Sequence, residues 1–283
     1  MNLARKTKIK NTLKYIFSYA ILFLFLAFAI FPVIEVLSIS LTPNASLHSE
    51  RIITPISEWT LDNYRVLFYE KPFLRWMLNS LFVSVTVTVV GVGLASTAGY
   101  AFSRYKFRGK DFGMIALIAT QMFPVTMLLL PMYLMLIKLK LFDNFIGLII
   151  AYSATALPFC IWQMKGYYDT IPFSLEEAAR IDGCNQFQAF YKVVFPLAAP
   201  ALVITALFSF MSAWSEYLVA AVIMTSRKLY TLPLGLKQFQ SNFSTEWGLY
   251  AAGALIVAIP VMVLFFALSR WLISGLTLGS VKE

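Results

Sequence analysis

Two places in this apolar chain hold side chains that could do chemistry. One is Glu216, in Trp214-Ser215-Glu216-Tyr217, the only acid deep inside a long apolar run. A carboxylate in lipid is costly and usually faces a cavity or a partner. It could carry a proton, line a pathway or anchor a hydrogen bond between helices, and the lack of a Lys, Arg or His partner nearby favours the anchor. The other is the charged island Ser174-Leu175-Glu176-Glu177-Ala178-Ala179-Arg180-Ile181-Asp182-Gly183, followed by Val193-Val194-Phe195-Pro196. It has no nucleophile–base pair. What it could do is bind.

The island is expected to form a short helix. Ser174 can act as N-cap with Glu177 completing a capping box. Glu176 and Glu177 suit the positive end of the helix dipole. Gly183 fits the left-handed position that closes a helix. A second helix is expected from about Gln186 to Val194, stopping before Pro196 because the residue before proline resists helix. A solvated loop would explain the caps. It would not explain a tip of Ala-Ala-x-Ile, which suits insertion into another protein's groove.

Enzymatic alternatives find little support. The single histidine is His48, and the two cysteines, Cys160 and Cys184, imply neither a disulfide framework nor a metal site. The only Gly-Lys pair, Gly109-Lys110, has Arg104 where a P-loop needs its first glycine. No cofactor is expected on this chain.

The surrounding composition is that of a membrane protein. Hydrophobic residues make up 59% and charged residues 13%, against about 45–50% and about 25% in soluble domains. Six stretches approach or exceed the roughly 20 residues needed to cross a bilayer. They are Tyr15–Leu37, Met77–Phe102, Phe112–Ile137, Phe145–Met164, Ala198–Met224 and Gly248–Ile273. Each should be helical, since lipid satisfies no backbone hydrogen bonds. The expected fold is therefore an all-α polytopic membrane protein of six transmembrane helices, with a cytoplasmic helix between the fourth and fifth. Ala27-Phe28-Ala29 resembles a signal cleavage site, but the uncharged run Tyr15–Ile34 exceeds the usual apolar core of about 7–15 residues. Retention as an anchor is expected.

The net charge of +9 is distributed for topology rather than for nucleic acid. Arg5, Lys6, Lys8, Lys10 and Lys14 precede the first stretch, and Arg104, Lys106, Arg108 and Lys110 separate the second and third. The positive-inside rule then puts both termini and the island in the cytoplasm. This gives a basic N-terminus (1–14), a membrane domain (15–274) containing the island loop (165–197) and outer loops (38–76 and 225–247), and a cytoplasmic tail (275–283). No basic face interleaved with aromatics suggests nucleic-acid binding.

Within the stretches, Gly91, Ala95 and Gly99 recur every fourth residue, a spacing that lets helices approach closely. Pro124, Pro131, Pro158 and Pro260 could act as hinges or as ordinary bends.

Glu177-Ala178-Ala179, three residues, Gly183, nine residues, Val193-Val194-Phe195-Pro196 resembles the EAA signature of bacterial ABC-importer permeases. Val193 and Phe195 stand where the family has Ile and Leu. The Trp214–Tyr217 segment, Thr231-Leu232-Pro233-Leu234-Gly235-Leu236 and the tail Gly275–Lys282 are similar to MalG-type permeases of binding-protein-dependent carbohydrate importers. The resemblance implies a permease in the bacterial cell membrane that is half of a translocation pathway for an oligosaccharide of the maltose or maltodextrin kind. The implied partners are a second, MalF-type permease, a dimeric MalK-type ATPase that binds ATP-Mg, and an extracytoplasmic sugar-binding protein. Glu177, Ala178, Ala179, Gly183 and Pro196 would couple to the ATPase, Gly279 and Lys282 would touch it, and the 225–247 loop would meet the binding protein. Trp214 and Glu216 stand as pathway or packing residues. An ion-coupled secondary transporter using Glu216 is the alternative, although such a transporter should show more ionisable groups or repeats within its spans.

Overall fold

Why these residues fold as they do is set by the backbone: inside lipid, only a helix pairs every N–H and C=O within one segment. The computed structural model describes residues 2–43, 54–240 and 245–278, and every regular element there is helical. The principal helices are α1 (Asn2–Ser40), α2 (Asp62–Tyr69), α3 (Phe73–Arg104), α4 (Lys110–Gln121), α5 (Val125–Lys138), α6 (Phe145–Thr170), α7 (Ser174–Ile181), α8 (Gln186–Ala189), α9 (Phe195–Leu197), α10 (Ala199–Trp214), α11 (Leu218–Ile223), α12 (Leu232–Leu236) and α13 (Trp247–Leu278). Four helices are long and apolar enough to span a membrane: α1, α3, α6 and α13.

Two expected spans are broken. The stretch read as Phe112–Ile137 is α4 and α5, bent by 103°, with Pro124 as the residue that precedes α5. The stretch read as Ala198–Met224 is α10 and the short α11, because the helix stops at Trp214 and resumes at Leu218. The segment Gln186–Leu197 meets α10 at 76°. By length and composition, the described residues thus hold four candidate spans, or up to six if each bent pair counts as one. Pro131, Pro158 and Pro260 lie inside uninterrupted helices, so of the prolines read as hinges only Pro124 marks a break.

The chain divides into two compact units. In the smaller (Met1–Lys71 with Phe239–Ile256), polar bonds tie the end of α1 to the start of α2. The Asn63 amide donates to the carbonyls of Ser40 and Thr42 at 2.9 and 3.0 Å, and the Ser40 and Tyr64 hydroxyls lie 2.9 Å apart.

In the larger unit (Pro72–Gln238 with Val257–Glu283), α3, α6 and α10 form the core. The small-residue stripe of α3 is what lets them close. A Cβ on Gly91 would lie 2.9 Å from Ser209 Oγ of α10, and one on Gly99 would lie 2.9 Å from the Lys165 backbone nitrogen of α6. Ala95, between them, is fully buried. One apolar cluster gathers Val83, Val87, Leu148, Tyr152 and Ala213. A second gathers Ala95, Tyr100, Met164, Tyr168, Phe190 and Val194, directly beneath the charged island.

Candidate functional site: a short amphipathic helix locked to the end of α3

The charged island folds as α7, but its start differs from the expected cap. Ser174 is the first helical residue, Phe173 holds the N-cap position in an αR conformation, and no side chain caps the end. The turn is already wound at Pro172 and Phe173, whose carbonyls accept the amides of Leu175, Glu176 and Glu177. Ser174 is therefore carried into the helix, away from the cap geometry.

The C-terminal end follows the expectation. Gly183 has φ +93°. The Cys184 amide donates to the Ala179 carbonyl at 2.9 Å and the Gly183 amide to the Arg180 carbonyl at 3.0 Å. These are the paired bonds of a Schellman motif.

The next segment begins on a capping box that the sequence reading overlooked, in which Asn185 Oδ1 accepts the Gln188 amide and Gln188 Oε1 accepts the Asn185 amide, each at 2.9 Å. The helix does not stop before Pro196. Residues Phe190–Val194 widen into a π-turn, with the Phe195 amide donating to the Phe190 carbonyl, and α9 carries Pro196 inside it. A proline ring collides with the carbonyl four residues back and brings no N–H to bond it, and the wider turn relieves both demands.

The neighbouring acids Glu176 and Glu177 take opposite environments. Glu177 is exposed. Glu176 is 1% exposed, and two residues of the last turns of α3 hold it. Arg104 Nε donates to Glu176 Oε1 at 2.5 Å, and the Tyr100 hydroxyl donates to Oε2 at 2.6 Å. Gln186 Nε2 donates in turn to the Tyr100 oxygen at 2.8 Å. Arg104 also reaches the end of α6, donating through Nη2 to the Ile171 carbonyl at 2.8 Å. Beside it, the Ser103 hydroxyl donates to Asp169 Oδ1 at 2.7 Å, and Lys165 pairs with Asp169 at 2.6 Å. Tyr100 itself is wedged against Phe190 and Tyr168, with ring centroids 4.5 and 5.9 Å away. A buried pair satisfied on both partners resists separation, since removing either leaves an uncompensated charge.

With Glu176 and Ala179 turned inward, the rest of α7 is open, and its exposed apolar residues sit among the exposed Ser174, Glu177 and Arg180. Leu175 and Ala178 are exposed there, and Ile181 is 86% exposed. Downstream, Phe187 and Tyr191 are also exposed and stack with near-parallel rings. Pro196 lies within α9. Gly279 and Lys282 lie outside the described residues.

Sequence reasoning missed Tyr100, Arg104 and Gln186. Arg104 was taken only as a topology-setting charge. The available signal was a second acid, Glu176, on the same helical side as Ala179.

The Trp214–Glu216 segment is a helix break, and both of its side chains are engaged. Trp214 is buried at 1% exposure, and its Nε1 donates to the Val257 carbonyl at 3.0 Å. Glu216 Oε1 accepts the Val219 amide at 2.9 Å at the start of α11, while its own carbonyl accepts the Tyr152 hydroxyl at 3.2 Å. At another junction, between α5 and α6, Asp143 accepts the amides of Thr225 and Ser226 at 2.9 and 3.0 Å and the Ser226 hydroxyl. Burial pushes its carboxyl up, but the Ser226 and Thr225 bonds outweigh that and hold it below the ordinary value.

Comparison with known proteins identifies the family. Residues 88–277 match the model of the family described as binding-protein-dependent transport system inner membrane component. The chain is 37% identical over 225 residues to the maltodextrin transport system permease protein MdxG of Bacillus subtilis, covering 79% of this chain and 81% of that protein. It is 36% identical over 261 residues to the trehalose transport system permease protein SugB of Mycobacterium tuberculosis, covering 92% and 94%. It superposes with a TM-score of 0.80 and 26% identity on a chain of a bacterial ABC transporter involved in the import of the acidic polysaccharide alginate, covering 93% and 98%. With helices that span a membrane, a short helix locked beneath α3 and these likenesses over most of its length, the chain belongs to the family of inner membrane components of binding-protein-dependent transport systems, as a non-catalytic permease subunit of an ABC importer.

Proposed function

We propose that this permease forms half of the translocation pathway of an ATP-driven carbohydrate importer, and that α7 is its docking element for a cytoplasmic ATPase. The observation that carries the docking role is the exposed face Leu175–Ala178–Ile181 on a helix fixed at its inner face by Glu176. Exposed apolar side chains flanked by Glu177 and Arg180 on a rigid helix suit a groove in a partner protein. Glu177, Ala178, Ala179 and Gly183 are the proposed coupling residues, with Pro196 shaping the exit of the segment.

The carbohydrate class follows from the relatives, whose names refer to maltodextrin, trehalose and alginate. An oligosaccharide of the maltose or maltodextrin kind is one member of that range. The remaining partners in this proposal are a second, MalF-type permease, a dimeric MalK-type ATPase and an extracytoplasmic binding protein that meets the 225–247 loop. Both termini are proposed to face the cytoplasm, a reading that the clusters Arg5–Lys14 and Arg104–Lys110 support under the positive-inside rule. Gly279 and Lys282 of the tail are proposed to touch the ATPase.

Affinity purification of the subunit from its native membrane, with mass spectrometry of the associated proteins and of any bound sugar, tests this directly. An ATPase with a P-loop and a second permease are expected, and the ligand of the binding protein would name the carbohydrate. Recovery of the chain alone, from membranes that take up the carbohydrate, would contradict the proposal.

A further inference from the structure

We infer that Arg104 and Tyr100 are positioning residues that make the end of α3 the receiver of motion from the docking helix. This inference rests on the docking role proposed above for α7, and it names the route by which a movement there enters the membrane domain.

By chain connectivity, α7 should move with its neighbours in sequence, α6 before it and α10 beyond the following segment. Its polar bonds run elsewhere. The buried carboxylate of Glu176 is taken up on both oxygens by α3 residues one turn apart, Tyr100 and Arg104. Gln186, from the segment that follows α7, is also bonded to Tyr100. Both halves of the helix–turn–helix therefore converge on one phenolic oxygen of α3. Each hydrogen bond to an ionised carboxylate is stronger than a neutral one and directional, so α7 cannot roll on α3 without breaking at least one.

Arg104 adds a constraint that a lysine could not reproduce. Its Nε serves Glu176 while its Nη2 serves the Ile171 carbonyl at the end of α6. The guanidinium is a planar fork with several fixed donors, whereas an ammonium is a single mobile point charge. Arg104 thus fixes the angle between the end of α6 and the start of α7 from the α3 side. Beyond this junction, α3 is packed through Gly99 against α6 and through Gly91 against α10. A displacement handed to α3 reaches the helices of the core directly.

The test uses the whole complex, purified with its ATPase and binding protein and held in lipid nanodiscs. The readout is the ratio of ATP hydrolysis with saturating binding protein, carrying its co-purified sugar, to hydrolysis without it. A part that merely supports folding would change recovery and leave this ratio intact. Glu176→Gln keeps the shape of the side chain and loses its charge, and is expected to lower the ratio by about tenfold, the effect of weakening hydrogen bonds to a charged group. Arg104→Lys, which keeps the charge and loses the fork, is expected to lower it as well. If Glu176→Gln fails to assemble, Tyr100→Phe, which removes one oxygen and keeps the ring, provides the same test with a smaller expected fall. An unchanged ratio in assembled Arg104→Lys and Tyr100→Phe complexes would overturn the inference while leaving the docking role in place. A wild-type subunit that recovers no ATPase would overturn the docking role itself.

Discussion

The backbone of α3 at Gly99 lies against the backbone of α6 at Lys165, where a Cβ would stand 2.9 Å from the Lys165 nitrogen. That contact is backbone to side-chain-sized space, so no flexible group can move aside. Gly99→Ala is expected to destabilise the core by about 1–3 kcal/mol, the range for overpacking. Gly93, on the same helix, has open space where its Cβ would lie, and Gly93→Ala should be neutral or slightly stabilising. Thermal unfolding of the two variants in one detergent checks the difference. Equal stabilities would show that the α3–α6 approach is looser than described.

Gly183 closes α7 in the left-handed region at φ +93°, with open space around its missing Cβ. Crowding is therefore absent, and Gly183→Ala tests backbone strain alone. A left-handed non-glycine residue costs roughly 1–2 kcal/mol, enough to fray the Schellman closure. Uptake by the assembled importer is expected to fall while the amount of protein in the membrane stays at wild-type level. Normal uptake in this variant would count against a requirement for a fixed end on α7.

Glu216 offers its Oε1 to the Val219 amide at the start of α11. A glutamine keeps that acceptor and an alanine does not. Glu216→Gln should retain uptake, whereas Glu216→Ala should lose about 0.5–1.5 kcal/mol of stability, the net contribution of one hydrogen bond. Loss of uptake in a normally assembled Glu216→Gln complex would instead identify the carboxylate as a proton or cation carrier.

Asp143 joins the α5–α6 turn to Thr225 and Ser226, and its carboxyl is held below the ordinary value because their hydrogen bonds outweigh its burial. A carboxylate depressed in the folded state contributes stability that is fully present above the unfolded value, about 3.9. The contribution is lost as the pH falls through the lower folded value. The stability difference between wild type and Asp143→Asn should be constant from neutral to mildly acidic pH and shrink below that point. Thermal unfolding across this pH range measures it. A difference that grew on acidification would show that the charged form is not the one favoured by folding.

The membrane class and the small-residue stripe of α3 were legible because each leaves a local mark: runs longer than a bilayer is thick, and glycine or alanine at every fourth position. Gly183 was legible because a capped polar helix needs a residue that tolerates positive φ. The two helix breaks were not. Hydropathy is blind to them, since the residues on both sides are equally apolar, and Pro124 looks no different in sequence from Pro131, Pro158 or Pro260. The roles of Glu176 and Glu177 were also hidden. Adjacent residues diverge by about 100° around a helix, and which of the two turns inward depends on Arg104, 72 residues earlier in the chain. Ser174 shows the limit of the capping rule: the side chain suits a cap, but the preceding Pro172–Phe173 turn had already begun the helix.

The most direct measurement is cysteine crosslinking from the exposed face of α7. Ile181→Cys in the native membrane, labelled with a short reagent that carries a maleimide for the thiol and a photoactivated group that inserts into any nearby bond, is expected to give an adduct with an ATPase subunit on illumination, and the yield should change when ATP and vanadate are added. Cys184 lies close by, so the parent for this variant is Cys184→Ala. Free labelling of residue 181 by a bulky maleimide, with no adduct in membranes that transport normally, would contradict docking at this helix.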